Sequence, residues 1–132
     1  MFRIVVTYIA TLVVFLGIDM VWLGWVARST YVSEMGDLIR KQPNITAAIF
    51  FYAIYAAGLA YFAVLPGLRS GSSAQALMLG LALGLVAYAT YDHTNLTVLN
   101  GYTLKIALID LAWGTFLSGV TAMAVTAMLQ RF

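Results

Sequence analysis

Cysteine is absent from the 132 residues, proline occurs twice and histidine once, and Asp, Glu, Lys and Arg together make up only 9% of the chain. Without cysteine there is no disulfide framework, no thiolate metal site and no thiol nucleophile. Ordinary soluble domains carry about 25% charged residues. Seven Lys/Arg and five Asp/Glu cannot cover a water-facing surface, which excludes a soluble globular fold. The net charge of +2 marks no nucleic-acid partner, because the cations stand singly, Arg40–Lys41 being the sole adjacent pair, and form no basic patch. Gly-rich phosphate loops, His-Glu-x-x-His and Gly-x-Ser-x-Gly are missing too, so standard nucleophilic hydrolase chemistry has no support.

Apolar residues take the place of charge: 63% of the side chains are hydrophobic, and the mean hydropathy is +0.93. A bilayer core of roughly 30 Å needs about 20 apolar residues per helix. Four stretches qualify, at about 4–26, 46–65, 74–95 and 104–129, and together they nearly exhaust the chain. The expected architecture is all-α, one domain over 1–132: a compact bundle of four transmembrane helices in a multi-pass membrane protein. Pro43-Asn44, Pro66-Gly67, Gly71-Ser72-Ser73 and Asn100-Gly101 punctuate the gaps. The first run is too long for the apolar part of a signal peptide and carries Asp19 within it, so it reads as a span. In the loop after it, Tyr31, Met35, Leu38 and Ile39 recur at helical spacing between polar residues, which suits a short interfacial helix as well as a solvated loop.

Four crossings put Arg3, Arg69 and Arg131 on one side, A, and Arg28, Arg40, Lys41 and Lys105 on the other, B. The excess of one cation tips the positive-inside balance toward side B as the cytoplasmic face. Small residues at four-residue spacing, Ala76-Gly80-Gly84 in the third span and Gly114-Ser118-Ala122-Thr126 in the fourth, let backbones approach closely. They fit either packing within one bundle or a homodimer face.

Carboxylates inside a span cost roughly 2.5–3.5 kcal/mol each, and this chain has three, Asp19, Asp92 and Asp110. At 1.5 Å of rise per residue all three fall roughly 5–10 Å below the side B interface. Asn44, Tyr52 and Tyr55 reach the same depth, and Tyr88, Tyr91, Asp92 and Asn95 share one face of the third helix. The segments Ile18–Gly24 and Ile109–Thr115 look alike, each with an Asp followed by Trp three positions on, which suggests a matched pair of helices. One reading makes this layer a site, with Asp92, Asp19 and Asp110 as catalytic groups and Tyr88, Tyr91, Asn95, Tyr52, Tyr55, Trp22 and Trp113 binding substrate. The other makes it structural: the acids pair with Arg28 or Lys105, and Trp22, Trp25, Tyr102 and Trp113 form an interfacial belt. His93 beside Asp92 invites a metal, but neighbouring helical residues point about 100° apart, so a shared ion needs the helix to unwind at Thr94. No metal or cofactor is assigned.

The segment Tyr88-Ala89-Thr90-Tyr91-Asp92-His93-Thr94-Asn95, with Asp19-x-x-Trp22 before it and Asp110-x-x-Trp113-Gly114 after it, resembles a family of small bacterial membrane proteins, domain of unknown function 2177. The resemblance extends to Phe51-Tyr52, Tyr55, Gly58 and Pro66 and covers essentially the whole chain, with a departure at His93, where the family pattern has an apolar residue. It implies a bacterial inner-membrane location and supplies no activity. Three functions compete. The acidic layer acts on a lipid or isoprenoid-type substrate, or it carries a proton or small solute across the membrane, or the protein is an accessory subunit whose acids meet a partner membrane subunit.

Overall fold

Apolar runs without an internal proline fold as helices in lipid because every backbone N–H and C=O must then be satisfied within the segment. In the computed structural model, residues 2–39, 42 and 44–131 are described, and the loop residues Arg40, Lys41 and Pro43 lie outside them. The first span is helix α1 (Phe2–Val21) prolonged by a π-helical turn, Trp22–Val26. After it comes the short helix α2 (Arg28–Met35), which Gly36 ends at a φ of 52° that side chains resist. The second span is α3 (Ile45–Leu59), a π turn (Ala60–Val64) and α4 (Leu65–Ser70); α5 (Ser73–Val98) and α6 (Leu104–Leu129) complete the bundle. All four spans are long and apolar enough to cross a membrane.

Helix starts are marked by side-chain caps. Asn44 accepts the Ala47 N–H at 3.1 Å, Ser72 the Gln75 N–H at 3.0 Å and Thr103 the Ile106 N–H at 3.2 Å. The second span runs five residues beyond the expected stop at Leu65, through Pro66 to Ser70. A proline lacks an N–H and crowds the carbonyl four residues back. The preceding π turn, closed by the Leu65 N–H on the Ala60 carbonyl, widens the helix where that strain would fall. Gly71, left-handed at φ 71°, then turns the chain into α5.

Helix α6 is the centre of the bundle and packs along α5 through the two small-residue stripes. A Cβ on Gly80 would sit 2.6 Å from the Ser118 carbonyl oxygen and 2.9 Å from Ala122 Cβ; on Gly84 it would sit 2.7 Å from the Gly114 carbonyl oxygen. The stripes therefore meet each other inside one chain, and neither is free as a homodimer face. Helix α1 packs on α6 and α3, whereas α5 meets the second span chiefly through the Ala60–Val64 turn and α4. The bundle is closed toward side A around Phe15, Leu59, Val64, Leu117 and Val125, and α3 and α5 part toward side B. Across that open end lies α2, whose Tyr31 and Met35 pack on Tyr102, Ile106 and Ala107.

Candidate functional site

Each membrane aspartate sits on a different helix, and each is engaged by aromatic donors. On α1, Asp19 is 5% exposed; its Oδ2 accepts the Tyr52 hydroxyl at 2.6 Å and its Oδ1 the Trp113 Nε1–H at 3.0 Å. On α6, Asp110 Oδ1 accepts the Tyr31 hydroxyl at 2.9 Å. On α5, Asp92 is wholly buried, and its Oδ1 accepts the Tyr102 hydroxyl at 2.5 Å. The α5–α6 register that sets Gly84 against Ser118 and Tyr88 against Gly114 also sets Asp92 opposite Asp110. Two oxygens, Asp92 Oδ2 and Asp110 Oδ2, are buried with no donor. Every hydrogen bond these acids receive comes from an aromatic side chain, none from Arg28 or Lys105, so among the described residues the expected cation partners do not appear.

The matched Asp-x-x-Trp segments explain how α1 and α6 are joined. Trp113 of α6 donates to Asp19 of α1, and Trp22 of α1 donates to the Tyr31 hydroxyl at 3.4 Å, which in turn donates to Asp110 of α6. Between the two acids the indoles stack, centroids 4.3 Å apart and planes 8° from parallel. The two helices thus exchange indole donors across a stacked pair, once directly and once through Tyr31. A span of this kind favours indole over cationic partners, because each Trp N–H neutralises a lone pair without adding a second charge to desolvate.

Beside this junction is a cavity of about 600 Å³, of a size to hold a small ligand. Its polar wall is Asp19, Asp110, Tyr31 and Tyr102; Tyr52, Tyr55, Tyr88, Trp113 and Met35 supply most of the rest. Tyr88 lies flat over Gly114, whose missing side chain makes room for the ring: a Cβ there would fall 2.1 Å from Tyr88 Cγ. Tyr55 shares a 2.6 Å hydrogen bond with Ser118, and its ring meets Tyr88 edge-on at 87°. Phe15 lies under Tyr52 and Tyr55, with ring centroids 6.0 and 5.2 Å away, and closes the floor toward side A. Phe51 of α3 and Tyr91 of α5 line the cavity while remaining 46% and 55% exposed on the bundle surface. They mark an opening between α3 and α5 that faces the bilayer.

Of the ten residues expected at a site, Asp19, Asp110, Tyr52, Tyr55, Tyr88, Tyr91 and Trp113 line the cavity. Asp92, Asn95 and Trp22 do not. Asp92 stands behind Asp110, Asn95 lies close to the Tyr91 and Tyr102 hydroxyls, and Trp22 backs Trp113. Asn44 caps α3 and takes no part in the cavity. Tyr102, expected as a belt residue, is only 8% exposed and serves Asp92, whereas Trp25 is 84% exposed and fits the belt. Sequence reasoning also misses Tyr31; the available signal is a tyrosine on the apolar face of a helix otherwise fit to lie on the interface. Helix α5 is unbroken through Thr94, and His93 turns outward with Nδ1 2.8 Å from the Ala89 carbonyl oxygen, so the unwinding that a shared Asp92–His93 ion requires is not there.

Tyr31 and Tyr102, outside the spans, are held as neutral donors. Burial first, and the neighbouring aspartates second, push both phenols above the ordinary tyrosine range. The hydroxyl protons facing Asp110 and Asp92 therefore stay in place across any physiological pH.

The family model for predicted membrane proteins of DUF2177 matches residues 4–127, which take in nearly all of the four spans and every residue of the site. The chain belongs to that family. No curated protein and no solved structure matches it. In this chain the two Asp-x-x-Trp elements join α1 to α6, and Tyr-Asp-x-Thr-Asn places Tyr91 at the mouth and Asp92 behind the wall.

Proposed function

We propose that this bacterial inner-membrane protein acts on a lipid or isoprenoid-type molecule drawn sideways from the bilayer. The tail would lie in the opening between α3 and α5, and the head would reach Asp19 and Asp110. The observation carrying this reading is the cavity itself: acidic and hydroxyl-rich at one end, aromatic along its length, open past Phe51 and Tyr91 and shut toward side A by Phe15. Among the described residues its walls bear carboxylates and phenols and no Lys, Arg or His, so the head that fits them is a hydroxyl or an amine rather than a phosphate. Asp110 is the acid/base group of this scheme, Asp19 orients the head, and Tyr88, which meets the ligand from the opposite wall, offers a phenol. Carriage of a solute across the membrane is the weaker reading, because the apolar core around Phe15, Leu59 and Leu117 blocks the way to side A.

The test is retention of a lipid by the purified protein in mixed micelles containing a long-chain alcohol, alkylamine, fatty acid or alkyl phosphate, read by native mass spectrometry. The alcohol or amine should be retained by the wild type and lost from Ala87→Trp, which fills the cavity from α5. Equal retention by Ala87→Trp, or preference for the phosphate, refutes the reading.

A further inference from the structure

Two carboxyl groups set opposite each other across one helix contact, with a buried donorless oxygen on each, cannot both be anions without something between them. Carboxylates only accept hydrogen bonds, so two of them facing each other leave both inner oxygens unmatched. A single proton matches both. It makes one group a donor to the other and halves the charge that lipid and protein must bury.

We infer that Asp92 and Asp110 hold one proton between them, and that Asp92 is the positioning residue that keeps this proton at Asp110. The surroundings are consistent on every side. Tyr102 from the loop donates to the outer oxygen of Asp92, Tyr31 from α2 donates to the outer oxygen of Asp110, and Asp19 of α1 lines the same cavity as Asp110. His93, next to Asp92 on α5, has its ring turned outward against Ala89. No described group presents a cation to the pair. The two members differ in access: Asp110 lines the cavity, and Asp92 is wholly buried outside its lining. When a ligand in the cavity takes the shared proton, the O–H bond at Asp110 breaks as the bond to the ligand forms and both carboxyl groups are left as anions; the pair is restored when the ligand, or water in the cavity, gives a proton back to Asp110.

This inference is tested with no lipid bound, so it stands or falls apart from the proposed function. The measurement is infrared spectroscopy of the detergent-purified protein at pH 7 in H2O and D2O. The chain has only five Asp/Glu side chains to resolve. One protonated-carboxyl C=O band per chain is expected, shifted in D2O, lost in Asp92→Asn and in Asp110→Asn, and kept in Asp19→Asn. Both Asn variants should fold, since the amide N–H supplies in fixed form the donor that the proton supplies in the wild type. Should Asp92→Asn fail to fold, Tyr102→Phe decides: it removes the donor to Asp92, so the band should persist at a changed frequency. An absent band, one that survives both Asn substitutions, or one unmoved in Tyr102→Phe overturns the inference. So does an absent band with a melting point that rises in sodium chloride over choline chloride, which puts a cation between the acids.

Discussion

A methyl group added to Gly80 or Gly84 should destabilise the bundle, while the same change at Gly17 or Gly58 should stabilise it. The four glycines share a helical backbone, so each Ala gains about 0.8–1.0 kcal/mol of helix propensity. They differ in what a Cβ would meet. At Gly17 and Gly58 nothing lies within 4 Å, and the propensity gain stands alone. At Gly80 the nearest atom is the Ser118 carbonyl oxygen at 2.6 Å, followed by Ala122 Cβ and Gly119 Cα at 2.9 Å. At Gly84 it is the Gly114 carbonyl oxygen at 2.7 Å, followed by Ser118 Cβ and Oγ at 2.8 Å. Apolar contacts settle at about 3.5–4.0 Å, and backbone atoms cannot rotate aside, so α5 and α6 must separate by about 1 Å along their main contact. Overpacking of this kind costs about 1–3 kcal/mol, which leaves a net loss of up to about 2 kcal/mol after the propensity gain. Gly84→Ala should further loosen the Tyr55–Ser118 hydrogen bond at the cavity wall. The assay is reversible unfolding in mixed micelles, followed by helical circular dichroism. If all four variants shift in the same direction, or if Gly80→Ala and Gly84→Ala gain as much as Gly17→Ala and Gly58→Ala, the close crossing of α5 and α6 is wrong.

Asp19→Ala strands the Tyr52 hydroxyl and the Trp113 Nε1–H, and each buried donor left unpaired costs about 1–3 kcal/mol, so it should melt well below Asp19→Asn, which keeps one acceptor. Equal melting points for the two would show that these bonds contribute nothing. Trp113→Phe keeps an aromatic ring but loses its donor to Asp19, and it should destabilise more than Trp25→Phe, whose indole is exposed; the reverse order would undo the exchange between α1 and α6. Glu34→Cys and Lys105→Cys should react with an impermeant thiol label from one face of the membrane, and Arg3→Cys and Arg131→Cys from the other. Reaction of positions 34 and 105 from opposite faces would falsify the threading on which the shared depth of the acids depends.

Much of the site's depth is legible in the sequence. Helical rise is fixed, so counting residues from the ends of the apolar runs puts Asp19, Asp92 and Asp110 in one layer, and the repeated Asp-x-x-Trp spacing marks α1 and α6 as partners. Lateral arrangement is not legible. In a soluble helix the polar face tells which side is outside. In lipid the outward face is as apolar as the core, so the stripes Ala76-Gly80-Gly84 and Gly114-Ser118-Ala122 can be read as facing each other or a second chain. Likewise an aromatic residue near an interface has the same appearance whether it points outward, as Trp25 does, or turns in to serve an acid, as Tyr31 and Tyr102 do.

By itself the sequence determined that the chain crosses the membrane four times and buries three acids near one face, since both follow from the length and apolarity a bilayer demands and from the rise of a helix. Tertiary structure decided what those acids face. The Ala60–Val64 π turn carries the second span past Pro66, and α5 leans on that end of it, so α3 and α5 diverge toward side B. Helix α2, tied down by the 3.0 Å hydrogen bond from Thr103 to Glu34 and by Tyr31 on Asp110, then lies over the gap. These contacts join residues up to 79 positions apart along the chain, and no local spacing encodes which of several similar apolar surfaces will meet.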